Sequence, residues 1–261
     1  MSIRVESLRF SRGTRRILEQ IDFEAADGTV TALLGANGAG KTTLLRCILG
    51  LNAADAGEIL LDNEPLRSLT GKRLAEHVAF LPQKNSRDLS LSVEDMVLMG
   101  TAHALTPFSS PRSAELAAAQ AAMEQLDIAH LAQREFAKIS GGEQRLVLVA
   151  RALAQGARTL IFDEPTAGLD YGNQASVLSQ ARRLAGRGYC VLLSTHDPQH
   201  ALWYADRVLA LKNGRVLGFG IPGEIITPES LYALYGIKAE VFDSVHGRLV
   251  VPKHKEVHGG C

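Results

Sequence analysis

A glycine-rich stretch that ends in a lysine and two threonines carries the clearest chemistry in the chain. It follows the apolar run 29–34 and fits the pattern G-x-x-x-x-G-K-[ST], which lies between a strand and a helix. Glycines let successive backbone N–H groups point at phosphate oxygens, and the positive end of the helix dipole adds to the attraction. This phosphate loop therefore predicts a triphosphate site, the alternative being a glycine turn that caps an ordinary helix. The residues concerned are Gly35, Asn37, Gly38, Ala39, Gly40, Lys41, Thr42 and Thr43.

Four side chains from two segments are predicted to bind the phosphates, a metal ion and the attacking water. Lys41 is placed to reach the β- and γ-phosphates, and the Thr42 hydroxyl to bind Mg²⁺. The apolar run 159–162 predicts a buried strand, and ligands bind at the carboxyl ends of parallel strands. There Asp163 is placed to act on Mg²⁺ directly or through an intervening group, and Glu164 to polarise the water that attacks the γ-phosphate. Without the phosphate loop, these acids would more simply begin a solvated loop.

A second glycine turn precedes a helix with apolar residues at positions 146, 149, 150 and 153. This serine turn consists of Ser140, Gly141, Gly142 and Glu143. Its hydroxyl and free N–H groups can bind an anion at the helix N-terminus, or can serve only as an N-cap. Two phosphate-binding loops so far apart in sequence are hard to reconcile with one nucleotide held by one copy. The simplest arrangement is a homodimer in which each ATP is shared between two copies.

Strands and helices alternate along most of the chain, which predicts an α/β fold with a parallel sheet. Residues 84–140 are mostly helical in pattern and interrupt the alternation, so we predict a helical subdomain inserted into the core. The core domain is expected to cover residues 1–241, with one helix from 225 to 235, and a C-terminal hairpin or tail to cover 242–261.

The composition limits the classes of protein to consider. The 28 basic and 28 acidic residues cancel, so no overall field favours nucleic acid or an anionic membrane. Residues 1–10 lack the pattern of a signal peptide, and no apolar run approaches the length of a membrane span. Three widely spaced cysteines indicate reduced thiols in a reducing compartment. Any membrane role is therefore expected to come through a partner.

Taken in order, these motifs resemble those of the nucleotide-binding subunits of ATP-binding-cassette (ABC) transporters. The resemblance covers the chain from position 3 to about 241 and includes three further motifs: Leu81-Pro82-Gln83, Ala167-Gly168-Leu169-Asp170 and Ser194-Thr195-His196-Asp197. It implies a P-loop NTPase core with a parallel sheet, an N-terminal antiparallel β subdomain and the inserted helical subdomain. By themselves, Gln83 and His196 would be a loop amide and a strand-end histidine. The resemblance implies instead that Gln83 senses Mg²⁺ and the attacking water, His196 contacts the γ-phosphate, and Asp170 bridges the dimer.

Two positions depart from the family pattern. Glu143 stands where the family most often has glutamine, which puts a negative charge near the partner's ATP but also at a favourable helix N-terminus. We expect this to tune activity and not abolish it. Arg12 stands where an aromatic residue normally stacks on adenine; a guanidinium can also stack on a base, and Phe10 is the alternative.

The segment Met96-Val97-Leu98-Met99-Gly100 resembles that of importer ATPases for iron-siderophore, haem, cobalamin and related metal complexes, including a molybdate-type branch. Thr101 stands where these have arginine. The resemblance implies a peripheral ATPase homodimer on the cytoplasmic face of the inner membrane. Its direct partners would be two permease subunits, and a helix of the permease would dock near residues 83–99. A substrate-binding protein would be an indirect partner, and nucleic acid is not expected as a partner.

Other classes remain open. An ABC exporter ATPase shares the same motifs. A soluble cassette ATPase acting on ribosomes or DNA would usually carry two cassettes or long coiled coils, and the chain has one phosphate loop and no long heptad pattern. A P-loop kinase would not need the serine turn.

The last residues include His254, His258 and Cys261, which are potential metal ligands at helix-like spacing. Glycines and charges around them indicate a frayed end as the alternative.

Overall fold

The computed structural model describes residues 2–83, 90–104, 111–245 and 247–253. The strands, numbered along the chain, are β1 (Ile3–Arg12), β2 (Arg15–Ala25), β3 (Val30–Leu34), β4 (Ala56–Leu61), β5 (Glu64–Pro65), β6 (Val78–Leu81), β7 (Thr159–Phe162), β8 (Cys190–Thr195), β9 (Arg207–Lys212), β10 (Arg215–Gly220), β11 (Ala239–Ser244) and β12 (Gly247–Pro252). The helices are α1 (Lys41–Ile48), α2 (Gly71–His77), α3 (Val93–Leu98), α4 (Ser113–Gln125), α5 (Gly141–Ala154), α6 (Tyr171–Ala185), α7 (Pro198–Tyr204), α8 (Pro222–Ile225) and α9 (Pro228–Tyr235).

A mostly parallel sheet in the order β10-β9-β3-β8-β7-β6 forms the centre of the described structure. Every residue of β3, β7 and β8 is buried, because the strands are covered on both faces. Alternate side chains point to opposite faces of the sheet and enter two separate cores. In β7, for example, Leu160 and Phe162 join one core and Ile161 joins the other. This sheet confirms the predicted α/β class, and its carboxyl edge carries the phosphate loop and the two acids.

An antiparallel sheet in the order β2-β1-β4-β5 lies on the α1 side of the central sheet. Its apolar face packs on α1, where Leu8, Leu18 and Ile21 share a core with Leu44 and Leu45. The predicted antiparallel β subdomain is therefore present. Because α1 begins at the end of the phosphate loop, this packing fixes the direction in which the helix N-terminus points.

Helices α3, α4 and α5 pack on one another and bury Met96, Val97, Ala119, Met123 and Val149. Since α5 also contacts β6 and α6, it joins the helical block to the central sheet. The described part of this block is helical, as predicted from the sequence. The limits of the inserted subdomain at 84 and 140 stay predictions.

The C-terminal hairpin β11–β12 is joined to α7 by side-chain hydrogen bonds. The Gln199 side chain donates to the Arg248 carbonyl over 2.9 Å and accepts from the Val250 N–H over 2.9 Å. The helix expected from 225 to 235 is present as α9 and ends at Tyr235, but its expected start is wrong, because α8 ends at Ile225 and α9 begins only at Pro228. Proline favours the first position of a helix and an extended residue before it, and Thr227 there caps α9. His254, His258 and Cys261 lie outside the described residues.

No helix in the described ranges is long and apolar enough to cross a membrane.

Candidate active site

The phosphate loop runs from the end of β3 to the start of α1, and two of its glycines are required by geometry. A Cβ at Gly35 would collide with the Leu211 carbonyl at the end of β9. Gly40 has φ of 109°, a conformation that residues with a side chain rarely adopt, and it directly precedes Lys41. The loop therefore folds closely against the sheet edge and turns sharply into the helix.

Lys41 is held inside this loop and is 5% exposed. Its Nζ donates to the carbonyls of Gly35 at 2.7 Å and Ala36 at 3.2 Å, and lies 3.5 Å from Glu164 Oε1. Burial lowers the pKa of Lys41, and the neighbouring Glu164 carboxylate opposes that effect. The ammonium group thus contacts both the loop that is predicted to bind phosphate and the acid that is predicted to act on water.

Asp163 lies at the end of β7 and is 4% exposed. Its Oδ1 accepts from the Ser194 hydroxyl at 2.7 Å and lies 3.4 Å from the Thr42 hydroxyl. Carboxylate and hydroxyl oxygens are ligands that Mg²⁺ prefers, so Thr42 and Asp163 fit the predicted metal site.

Glu164 is the point where distant segments of the chain meet. Its Oε2 accepts from Gln83 Nε2 at 2.9 Å, and its Oε1 lies 3.6 Å from His196 Nδ1 in addition to its contact with Lys41. Its backbone φ is 44°, which is uncommon for a residue with a side chain. The predicted catalytic residues Glu164, Gln83 and His196 are therefore brought together with the predicted phosphate-binding lysine.

A cavity of about 400 Å³ opens over this group, and we call it the phosphate-loop pocket. Its walls are formed by Arg15, Ile17, Asn37, Gly38, Gly40, Lys41, Thr42, Thr43, Gln83 and Glu164. Arg12 does not line it among the described residues; it pairs with Arg15 at the end of the β1–β2 hairpin, where Gly13 makes a tight turn with φ of 61°. Arg12 as the adenine contact stays a prediction, and Arg15 and Ile17 are nearer candidates.

The serine turn forms a closed capping box at the start of α5. Ser140 Oγ accepts from the Glu143 N–H at 3.3 Å, and Glu143 Oε2 accepts from the Ser140 N–H at 2.7 Å. Hydrogen bonding of the Glu143 carboxylate to the Ser140 hydroxyl, and then to the Ser140 N–H, lowers the pKa of Glu143. None of the four residues of the turn lines the phosphate-loop pocket in the described structure. Within one chain the serine turn is therefore a helix cap, as the alternative interpretation of the sequence states.

Asp170 lies beside the serine turn. It caps α6 by accepting from Asn173 N at 2.9 Å and from Asn173 Nδ2 at 2.7 Å. A Cβ on Gly142 would collide with this same Asn173 side chain, so the two segments are in close contact. Gly141 lies nearby, where an added Cβ would contact Leu169 at 3.6 Å. The serine turn and Asp170, which are predicted to act on the partner's nucleotide, therefore lie close together in the structure.

Two residues that hold parts of the site in place were not predicted from the sequence. Arg145 is 6% exposed and donates to the carbonyls of Pro82 at 3.0 Å and Gln83 at 3.2 Å, so α5 holds the segment that carries Gln83. The helical period places Arg145 on the same face of α5 as the apolar Val149, four positions on, but it does not indicate the bonds that Arg145 makes. The other residue is Ser194, whose contacts depend on strand pairing and leave no comparable pattern.

The fold and this site define an ATP-binding cassette. A family model described as ABC transporter matches residues 18–167, and the chain belongs to this family. ATP hydrolysis is general to these cassettes, so the protein is an ATPase that binds ATP. The predicted family, fold class and enzyme activity are confirmed.

The relatives fall among transport ATPases. Over 241 residues the chain is 36% identical to an ABC transporter ATP-binding protein of Haemophilus influenzae, with 92% of each chain covered. Over 244 residues it is 37% identical to the hemin import ATP-binding protein HmuV of Pseudomonas fluorescens, with 92% of this chain and 94% of the relative covered. A solved metal-chelate type ABC transporter in an inward-facing conformation superposes with a TM-score of 0.85 at 32% identity, and 97% of each chain is covered.

Proposed function

We propose that this protein is the ATP-hydrolysing subunit of a membrane importer that takes up a metal complex of the iron-siderophore, haem, cobalamin or molybdate type through a partner permease. The observation that carries the hydrolytic part is the convergence of Lys41, Gln83 and His196 on the Glu164 carboxylate. The cargo class is supported by the similarity to a hemin import ATP-binding protein and to a metal-chelate type transporter.

The proposed roles follow from the positions of the side chains. Glu164 lies against the pocket with its two oxygens directed to separate donors, so it can accept the proton of a water that Gln83 and His196 help to position. Lys41 supplies positive charge where phosphate charge develops. Thr42 and Asp163 would hold Mg²⁺, with Gln83 as a further ligand. When bound, Mg²⁺ would neutralise phosphate charge.

The serine turn enters this scheme through a second copy. Within one chain its residues form a capping box, and the N–H groups of this helix N-terminus lie next to Asp170. We propose a homodimer in which the serine turn of each copy closes over the ATP held by the phosphate loop of the other. Asp170 then lies at the boundary between the copies.

The permease is proposed to dock near residues 83–99, on the cytoplasmic face of the membrane. Met99 at the end of α3 is 49% exposed, which offers apolar surface for a partner helix. A cysteine introduced at Met99 should cross-link to a cysteine in the permease. A matched cysteine at Leu116, which is 46% exposed on α4, should not; equal cross-linking at both positions would contradict this docking site.

Uptake by reconstituted vesicles tests the transport function. The protein would be combined with a candidate permease and supplied with ATP on the cytoplasmic side. Labelled haem, ferric siderophore, cobalamin and molybdate would be offered with the matching binding protein on the other side. We expect ATP-dependent accumulation of one cargo with the native chain and none with Glu164→Gln. Movement of cargo in the opposite direction would instead establish an exporter.

A further inference from the structure

Ser194 touches both acids of the active site from the neighbouring strand. It lies in β8, is fully buried at 0% exposure, and has no part in the roles assigned above. We infer that Ser194 is a positioning residue that fixes the Asp163 and Glu164 carboxylates relative to each other. This inference rests on the proposed roles of these two acids.

The hydrogen bonds of Ser194 have a defined direction. A serine hydroxyl carries one proton and two lone pairs. Because a carboxylate only accepts, the Ser194 proton is donated to Asp163 Oδ1 over 2.7 Å. The Ser194 oxygen is then free to accept the N–H of Glu164 over 2.8 Å. One hydroxyl therefore connects the side chain of the first acid to the backbone of the second.

The backbone bond matters because the conformation of Glu164 is strained. Its φ of 44° is uncommon for a residue with a side chain, and Pro165 follows it. A residue before proline favours an extended backbone, so this conformation persists only where surrounding contacts impose it. Two such contacts are the bond from Glu164 N–H to Ser194 and the bond from Ala167 N–H to the Glu164 carbonyl at 3.1 Å. The first holds the peptide that directs the carboxylate toward Lys41.

The position of Ser194 follows from strand pairing. β7 and β8 are parallel, with Phe162 opposite Leu193, so the next residue of β8 lies beside the first acid. Any side chain at this position is near Asp163, but an apolar one would leave the Glu164 N–H without its acceptor. A small hydroxyl satisfies both neighbours and fits in the closed space.

The neighbouring strand offers a matched control. Thr31 in β3 is also fully buried, lies opposite Leu192 and shares a sheet face with Ser194. Among the described residues its hydroxyl has no hydrogen-bond partner. Thr31→Val therefore removes a buried hydroxyl from the same core without touching the acids.

The test compares Ser194→Ala, Ser194→Thr, Thr31→Val and Glu164→Gln in the purified full-length chain. ATPase kinetics would be measured against ATP and against Mg²⁺, together with nucleotide affinity and thermal unfolding. For Ser194→Ala we expect kcat to fall about 10- to 100-fold, as misplacement of a reacting group does. The KM for ATP should stay within about twofold, and the Mg²⁺ concentration for half-maximal rate should rise about fivefold, because Asp163 loses a donor. Ser194→Thr should recover most of the rate, and Thr31→Val should match the native chain.

The outcomes separate this inference from the proposed function. Native kcat and native Mg²⁺ dependence in Ser194→Ala, with Glu164→Gln inactive, would overturn the role of Ser194 and leave the hydrolytic site intact. Equal losses in Ser194→Ala and Thr31→Val would show a general effect on the core and also overturn it. Full activity of Glu164→Gln would instead contradict the proposed role of Glu164 itself.

Discussion

The phosphate loop and the serine turn are both glycine turns in front of a helix, but their polar groups are satisfied in different ways. Lys41 is buried and reaches two loop carbonyls and the distant Glu164. In the described structure, the Ser140 hydroxyl accepts from the Glu143 N–H and the Glu143 carboxylate accepts from the Ser140 N–H, across the first turn of α5. The first arrangement is a site inside one chain. The second is complete as a cap and gains an anion-binding role only against another molecule, which is why the proposed chemistry needs two copies.

The largest expected effect comes from the phosphate loop. Lys41→Ala should reduce kcat/KM by on the order of 10³, because it removes the positive charge that is proposed to face the phosphates. ATPase assays at saturating Mg²⁺ would measure this. Lys72→Ala, on the exposed surface of α2, serves as the control and should keep native activity. A loss of less than about tenfold in kcat/KM for Lys41→Ala would contradict the proposed role of the phosphate loop in ATP hydrolysis.

A smaller effect is expected where the serine turn meets Asp170. Gly142→Ala should reduce kcat at least about tenfold, since the added methyl group collides with Asn173 and displaces the cap of α6. The double variant Gly142→Ala, Asn173→Ala removes the collision and should recover part of the rate. Equal rates in the single and double variants would mean that this contact does not matter for hydrolysis.

The connection between α5 and Gln83 should give a loss of about tenfold in kcat. Arg145→Gln shortens the side chain and leaves the carbonyls of Pro82 and Gln83 poorly satisfied. Because Pro82 is half-buried and Gln83 is exposed, water can replace part of these bonds. Chemical denaturation should therefore show a loss of stability near the lower end of the range of about 1–3 kcal/mol for an unpaired buried polar group. A stability loss with unchanged kcat would show that Arg145 supports the fold and not the position of Gln83.

The smallest effect is expected at Glu143. The bonds from Ser140 lower its pKa from 4.5, so their stabilisation is fully present above about pH 4.5 and is lost as the pH falls through the lowered value. Urea unfolding between pH 3 and 7 should show this loss in the native chain and a flatter profile in Glu143→Gln. At pH 7 this variant should lower the KM for ATP about two- to threefold, because in the proposed homodimer it removes a negative charge near the partner's phosphates. An increased KM would contradict that placement.

The parts of the fold that could be predicted from the sequence are those with a local signal. The apolar runs of β3, β7 and β8 predict buried strands, and all three are fully buried. Helix α2 was missed because none of its residues is buried, so its pattern carries no apolar face. Strand β10 was also missed, although Asn213-Gly214, with φ of 48° and 76°, is a strong hairpin signal that could have indicated it.

The same distinction applies to the site. Motif spacing predicts Lys41, Asp163, Glu164 and the serine turn, because each motif is continuous in the sequence. The bonds of Ser194 and Arg145 join residues 30 or more positions apart and form only when strands and helices pack, so no local pattern reveals them. Gln83 and His196 came from the family resemblance, and the structure places both beside Glu164.

The mass of the ATP-bound protein tests the shared site most directly. Glu164→Gln would be incubated with ATP and Mg²⁺, and its mass would be measured by light scattering during gel filtration. The double variant that combines Glu164→Gln with Ser140→Ala would be measured in the same way. We expect the single variant to have twice the mass of one chain, which is 28.1 kDa, and to hold two uncleaved ATP molecules per dimer. The double variant should not form this dimer. Native enzyme that hydrolyses ATP at full rate as a monomer, with or without Ser140, would contradict the account.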